Sequence, residues 1–403
     1  MNENHVNFWH IQLFRGVMTT GGFAEAARQA GLTQPAVSNA VSALEKAFGA
    51  PLLARGGRPA FTDKGSVLME RGRRALDLLT AGLREAGQMN ARSSVQVVRA
   101  ISGPRLRALV AIVKFGSFAE AARAIGVARP TLHRAARDLE RSLGRDLFER
   151  TSHGVRPSRQ AEVLARYASL AFAEIRQARA EMAAFGGQDA GSTVIGAMPL
   201  GRSFIIPAAV QEFTATNPRH RISILEGAYE NLVAGLRRGD VDFLVGALRG
   251  DHAASDLEET KLFDDALSIV MRVGHPATGT VRLTRQTLRK FSWIAPRPES
   301  PLRRSFEALF SPSQPPQDIV ECNSLSAARV ILMRSDRLML LSDVQIRFEK
   351  EAGALVSRPL AGASMLRPIG LTTRKDWRPT REQQRLVDLV AAEAAARNLV
   401  SSN

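Results

Sequence analysis

Residues 21–55 read GGFAEAARQAGLTQPAVSNAVSALEKAFGAPLLAR, and residues 116–150 read GSFAEAARAIGVARPTLHRAARDLERSLGRDLFER. At a fixed offset of 95, 15 of the 35 positions are identical without a gap. Average residue usage would match only about two or three. A chain that carries one such pattern twice is expected to fold it twice. Two copies at this spacing form no solenoid, so the repeat is a duplicated domain.

Each copy reads as a small helical unit. FAEAAR is Ala-rich and ends at Gly31 or Gly126, the expected C-cap glycine. Gly22 or Ser117 precedes it, and in the second copy Ser117 and Glu120 have capping-box spacing. A second helix opens with Thr33-Gln34-Pro35 or Ala128-Arg129-Pro130 and stops at Gly49 or Gly144. Proline costs nothing in a first turn, where its missing N–H has no helical partner. Two short helices joined through Gly are the helix-turn-helix signature. Beyond them a Leu-Leu or Leu-Phe pair, an Arg, a Gly-containing turn and Thr62 or Ser158 read as a β-hairpin wing.

The pattern A-A-x-x-x-G-[LV]-x-x-P, then L-E-x-x-x-G, then L-[LF]-x-R resembles the N-terminal domain of LysR-type transcription regulators, in both copies over about 60 residues. The resemblance implies a sequence-specific DNA-binding regulator. In such a motif the N-terminal side chains of the second helix meet base edges in the major groove. In copy one these are Gln34, Ser38 and Asn39, with Thr33 and Pro35 opening the helix. Gln and Asn amides pair bidentately with adenine. In copy two they are Arg129, His133 and Arg134, with Pro130 and Thr131 alongside. Arg suits guanine or a phosphate. Arg55, Arg58, Arg150 and Arg156 sit in or beside the wings, where phosphate contacts are expected. Copy one keeps the family-like TQPAVS and copy two departs from it with ARPTLH. Copy two nonetheless stands where the family's single copy would stand, with about 300 residues from Arg105 to the C-terminus. A second reading makes copy one an interaction or autoinhibitory module and leaves DNA to copy two.

Helical stretches follow both wings. Leu164, Ala168, Ala171, Ile175, Ala178, Met182 and Phe185 recur at coiled-coil spacing. The matching positions in copy one are Leu68, Gly72, Ala75, Leu79, Gly82, Ala86 and Met89. Two of them are Gly, each expected to cost about 1 kcal/mol of helix stability relative to Ala. The resemblance implies that residues 160–185 pair two subunits; packing against the neighbouring domain of the same chain is the alternative. Ser93–Pro104 joins the copies.

From Ser192 strands and helices alternate, as in open α/β sheets. Strands are expected at Thr193–Met198, Arg221–Leu225, Val241–Gly246, Leu267–Arg272, Phe291–Ala295, Ile319–Glu321, Leu338–Leu341 and Arg367–Thr373. Helices are expected at Ser203–Thr216, Glu230–Arg238, Pro301–Phe310, Ser324–Arg334, Asp343–Glu351 and Thr380–Asn398. GAMPLGRS, EGAYENLVAGLRRGDVDFLVGALR and SPLRRSFEALF resemble the family's two-lobed, periplasmic-binding-protein-like effector domain, most weakly around residues 250–290. The resemblance implies an effector between the lobes, near helix N-termini that attract anions. Here those positions are Arg202, Ser203, Ser300 and Ser324. For each Ser, capping alone explains the residue equally well.

The expected architecture is therefore multidomain: two all-α winged helix-turn-helix domains, a linker or dimerisation helix, and a two-lobed α/β domain. The boundaries read 8–65 and 104–159 for the copies, 66–103 and 160–186 for the helices, and 192–403 for the effector domain. Its lobe I takes 192–266 and 374–403, and lobe II takes 267–373.

Charge and composition bound the partners. Of the net +16, residues 1–190 carry +11. Such an excess favours a polyanion, because neutralised phosphates release condensed counterions. Double-stranded DNA is the expected macromolecular partner. The resemblance adds a small anionic or sugar-derived effector, a homodimer or homotetramer, and RNA polymerase. One cysteine, Cys322, and seven scattered His give no metal-ligand spacing, and no cofactor is expected. No secretory segment opens the chain and no stretch approaches 18 apolar residues, so a cytoplasmic protein without membrane contact is expected. No G-x-S-x-G, P-loop, H-E-x-x-H or G-x-G-x-x-G appears, so no enzyme is expected. Asp240 and Asp242 fall at a helix–strand junction, where a turn explains them.

Overall fold

The structure, a computed structural model, describes residues 6–54, 60–87, 101–152, 154–186, 191–250, 254–280, 282–298, 300–312, 314–360 and 365–400. It divides into two units, one built chiefly from residues 1–192 and one from residues 193–218, 222–236 and 241–403.

The first unit contains the same helix order twice. Helices α1 (Phe8–Thr20), α2 (Phe23–Ala30), α3 (Gln34–Phe48) and α4 (Asp63–Glu85) are followed by α5 (Gly103–Phe115), α6 (Phe118–Ile125), α7 (Arg129–Leu143) and α8 (Arg159–Ala184). Gly31 and Gly126 end α2 and α6 in the left-handed conformation, at φ 64° and 68°. There glycine carries no Cβ penalty, and each N–H returns to the last turn of its helix. Thr62 and Ser158, assigned from sequence to the ends of the wings, cap the long helices. Thr62 accepts from the Gly65 N–H at 3.0 Å and Ser158 from the Ala161 N–H at 3.2 Å.

One hydrophobic core spans both copies, and a smaller one with Ile112, Ala121, Leu132 and Ala136 lies within copy two. The larger joins Phe8, Ile11, Phe14, Val37 and Leu44 to Leu106, Leu139 and Leu147 through the long helices. The α4 and α8 helices lie side by side and antiparallel. As the contact on α4 advances from Arg71 to Glu85, its partner on α8 falls back from Glu181 to Arg166. The seam Leu164, Ala168, Ala171, Ile175, Ala178 and Met182, expected to face a second subunit, is buried within this chain. The apolar face of α4 joins it in one core. Phe185 leaves the seam and is exposed. Met89 and most of the 93–104 connector fall outside the described residues.

A polar network crosses this helix pair. Arg71 donates through Nη1 to Glu174 at 3.0 Å and to Gln177 at 2.8 Å, and it also pairs with Glu181. Arg74 bonds the other Glu174 oxygen at 3.1 Å. Burial works to lower the Arg71 pKa, but the Glu181 hydrogen bond and the charges of Glu174 and Glu181 outweigh it and hold the guanidinium above its ordinary range. Removing one partner from such a buried pair typically costs about 3–5 kcal/mol, because the other charge stays buried. Near the other end of α4, Glu85 accepts from Arg166 and from the Tyr167 hydroxyl, both at 2.6 Å. Burial, and then the Glu85 carboxylate, raise the Tyr167 pKa.

The two seam glycines reverse the sequence reading. A Cβ on Gly72 would lie 2.6 Å from Ile11 Cγ2, and one on Gly82 would lie 2.6 Å from Tyr167 Cβ. Glycine is there because helices approach too closely for any side chain, so these positions do not weaken the seam.

The second unit carries a mixed sheet in the order β4-β3-β5-β11-β6-β9-β7-β8, with β10 beside β6. The strands are β3 (Ser192–Ala197), β4 (Arg221–Glu226), β5 (Phe243–Ala247), β6 (Leu257–Arg272), β7 (Ser292–Ala295), β8 (Ile319–Glu321), β9 (Arg337–Ser342), β10 (Leu355–Arg358) and β11 (Leu366–Arg374). Strand β6 is the spine. Leu257–Ala266 pairs with β11, while Leu267–Arg272 pairs with β9 and β10. Separate cores flank the two stretches, one with Ile195, Phe213, Phe243 and Leu386, the other with Trp293, Phe306, Phe310 and Leu338. Three assignments change. The expected strand at Leu267–Arg272 begins ten residues earlier, at Leu257. Strand β11, placed from sequence with residues 267–373, lies in the first half, antiparallel between β5 and β6. The helix expected from Ser203 begins as a π-helical turn, Gly201–Ile205, before Ile206–Thr216.

Gly82→Ala separates the two accounts of the seam by sign. Helix propensity alone predicts a gain of about 1 kcal/mol. The close approach to Tyr167 predicts a net loss, since overpacking a filled core typically costs about 1–3 kcal/mol. A lowered midpoint of thermal unfolding is the expected result.

Candidate nucleic-acid interface

Helices α3 and α7 present their N-terminal halves to solvent. Thr33, Gln34, Pro35, Ser38 and Asn39 are exposed in copy one; Arg129, Pro130, Thr131 and Arg134 are exposed in copy two. The buried faces explain this. Val37, Ala40, Val41 and Leu44 of α3 and Leu132, Ala136 and Leu139 of α7 are buried at helical spacing. The polar residues between them can only face outward. Thr33 caps α3 by accepting from the Ala36 N–H at 3.4 Å, whereas Ala128 offers α7 no side-chain cap.

His133 departs from the expectation. Its ring stacks on Phe118, with centroids 3.8 Å apart and planes at 15°. It is half-buried against α6, unlike the exposed Ser38 at the matching position. That leaves Arg129 and Arg134 as the exposed cationic pair at the start of α7.

The wing of copy two is a β-hairpin, β1 (Phe148–Thr151) with β2 (Gly154–Pro157), and Arg156 on β2 is exposed. Among the described residues, copy one shows one bridge, Leu53 to Phe61, at the corresponding place. Arg55, Arg58 and the Arg150 side chain lie outside the described residues.

Sequence reasoning passed over the residue that anchors each wing. Glu140 on α7 accepts from the Leu147 N–H at 2.9 Å and the Phe148 N–H at 3.3 Å. Glu45 on α3 accepts from the Leu52 N–H at 2.8 Å and the Leu53 N–H at 3.5 Å. The two glutamates are 95 residues apart, and so are the backbone N–H groups they hold. The signal was present in the L-E-x-x-x-G pattern common to both copies.

In the second unit, Arg202 pairs with Glu226, and the Ser203 hydroxyl donates to the Pro199 carbonyl at 2.8 Å. Ser300 accepts from the Arg303 N–H at 3.1 Å and Ser324 from the Ala327 N–H at 3.2 Å, both as helix caps. A buried ion pair that sequence reasoning missed, Arg367–Asp265 at 2.6 Å, sits where β6 passes from one half to the other. Arg367 also reaches Gln345 of the second half at 3.5 Å. Arg347 of that half lies over Phe204 of the first, 4.9 Å from the ring centroid.

Residues 8–66 and 104–162 both match the bacterial regulatory helix-turn-helix family of lysR type, and residues 186–395 match the LysR substrate binding domain. The chain belongs to the LysR family of transcription regulators. It is similar to the HTH-type transcriptional regulator GalR of Pseudomonas putida, with 32% identity over 371 residues that cover 91% of this chain and 92% of the relative. To PcaQ of Agrobacterium fabrum it is 26% identical over 277 residues, covering 68% of this chain and 89% of the relative. Among solved structures, a full-length OxyR variant from Pseudomonas aeruginosa shares the fold at a TM-score of 0.56 and 21% identity, covering 72% of this chain and 93% of that one. LysG of Corynebacterium glutamicum, solved with bound effector Arg, does so at a TM-score of 0.52 and 18% identity, covering 72% and 97%. The LysR membership makes the protein a DNA-binding transcription regulator with a C-terminal effector-binding domain, not an enzyme. No described helix is long and apolar enough to cross a membrane.

Glu140→Ala leaves the buried Leu147 N–H and the half-buried Phe148 N–H without their acceptor. Stability is expected to fall by about 1–3 kcal/mol, the cost of an unsatisfied buried group. Hydrogen exchange at Leu147 and Phe148 checks the cause: it should speed up there before it does in the body of α7.

Proposed function

We propose that both N-terminal copies are winged helix-turn-helix domains that contact duplex DNA, and that a small effector bound in the second unit controls the outcome. Gln34, Ser38 and Asn39 read bases from copy one, with Thr33 and Pro35 setting the helix start. Arg129 and Arg134 do so from copy two, with Pro130 and Thr131 beside them. His133 serves mainly to hold α7 against Phe118. Arg55, Arg58, Arg150 and Arg156 meet phosphates. The observation that carries this reading is that both copies expose their polar residues at the start of the second helix, while the apolar positions between them are buried. The GalR alignment supports a tandem arrangement, because a share of 91% requires most of copy one to be matched.

The two halves of the second unit act as lobes. The cleft takes an anionic or sugar-derived ligand near Arg202, Ser203, Ser300 and Ser324. A ligand that binds the closed state better shifts the lobes toward it; equal affinity for both states would shift nothing. The Arg347–Phe204 contact and the Arg367–Gln345 contact are the cross-lobe links such a shift would remake. The regulator works in the cytoplasm beside RNA polymerase. Any homodimer or homotetramer forms through surfaces other than the Leu164–Met182 seam, which is already covered.

Gel-shift titration over a salt series tests the DNA reading. With about 6–10 phosphate contacts, affinity should fall about 10³–10⁵-fold between roughly 50 and 200 mM salt. Arg156→Ala should weaken binding uniformly across sequences and reduce the logarithmic slope by about 1. Binding that ignores salt would refute it.

A further inference from the structure

We infer that a single chain reads a two-part DNA site whose halves differ in sequence. The inference rests on the proposed DNA reading and goes beyond it. It begins with the α4–α8 pair. Arg71 and Arg166 are 95 residues apart, so each is the other's counterpart in the repeat. Arg71 pairs with Glu181 of the other copy, and Arg166 pairs with Glu85 of the other copy. Residue 86 is the counterpart of 181, so exchanging the copies maps one ion pair onto the other with a slip of one residue. The antiparallel course of the helices has the same property. Contacts that survive exchange of the partners describe an approximate two-fold axis, here running between two segments of one chain.

The outer contacts repeat the pattern loosely. Gly103 approaches the Val6 carbonyl so closely that a Cβ would lie 2.7 Å from it. The counterpart positions, Phe8 and Ile101, share the same core. Glu45 and Glu140 hold their wings by the same bonds. The chain therefore contains the arrangement that two helix-turn-helix subunits need for two half-sites, which must face the duplex in opposite orientations.

The heads are related by this axis, but their readers are not alike. Copy one offers amides, Gln34 and Asn39; copy two offers guanidinium groups, Arg129 and Arg134. Amides match the donor–acceptor pair of adenine, and guanidinium matches the two acceptors of guanine. A symmetric palindrome would mismatch one head. The site that satisfies both has an adenine-bearing half and an inverted guanine-bearing half, and one chain fills it.

The test is selection of random-sequence duplexes by the full-length protein, followed by native mass spectrometry of the selected complex. The expected result is a site with two unlike halves and one chain per site. Gln34→Ala with Asn39→Ala should relax the adenine-bearing half, by about 10- to 100-fold per base pair. Arg129→Ala with Arg134→Ala should relax the other half by a similar factor. All four residues are exposed, so unchanged thermal midpoints should accompany both variants. Identical half-sites, or two chains needed for one site, would overturn this inference and leave the DNA reading intact. So would a site that ignores the Gln34 and Asn39 substitutions. Failure to enrich any duplex would defeat both.

Discussion

A positive charge is buried between two helices that belong to different copies of one repeat. Arg71 sits on the helix after the first wing, and its partners Glu174, Gln177 and Glu181 sit on the helix after the second. The charge cannot be left there alone, so α4 and α8 must stay together for either to be stable. Close approach at Gly82, against Tyr167, lets the apolar face around Leu68, Ala75 and Leu79 seal against Leu164, Ala168 and Ile175, while Gly72 admits Ile11 of α1. The polar contacts fix the register; the small residues permit the distance. From that pairing follow the shared core and the approximate two-fold relation of the heads.

Much of this was legible in sequence, but unevenly. The repeat was unmistakable, because identity at constant offset needs no knowledge of packing. The exposure of the polar residues at the starts of α3 and α7 followed from apolar spacing on those helices. The role of the glycines did not. A residue with no side chain looks the same whether it weakens a helix or admits a neighbour, and only the position of Tyr167 decides between them. Arg71 and Glu181 were hidden for a similar reason: 110 residues separate them, and charges beside an apolar seam usually face water. His133 read as a base contact because a polar residue at that position normally points outward, and the Phe118 ring that holds it belongs to a different helix.

In the second unit, helices that begin or end at strong caps were placed closely, as at Pro301–Phe310 and Leu325–Arg334. The course of β6 was half missed. Its first ten residues alternate weakly and carry several charges, so their strand character comes from the ladder with β11. Strand β11 was legible as a strand but not as a member of the first half, because its neighbours β5 and β6 are distant in sequence. The same crossing creates the buried Arg367–Asp265 pair, so the missed topology and the missed residues have one cause.

For a LysR regulator, the structural consequence is that the long helices following the two repeat copies pair within one chain. The seam on α8 that was expected to face a second subunit is covered by α4 of the same chain. The most direct measurement is a spin-label distance between Glu70→Cys on α4 and Ala180→Cys on α8, in a chain carrying Cys322→Ser. The labelled protein is diluted with excess unlabelled protein. Pairing within the chain predicts a short distance whose amplitude per labelled chain survives dilution. A signal that vanishes as labelled chains become rare would mean that the helices pair between chains, contradicting the account.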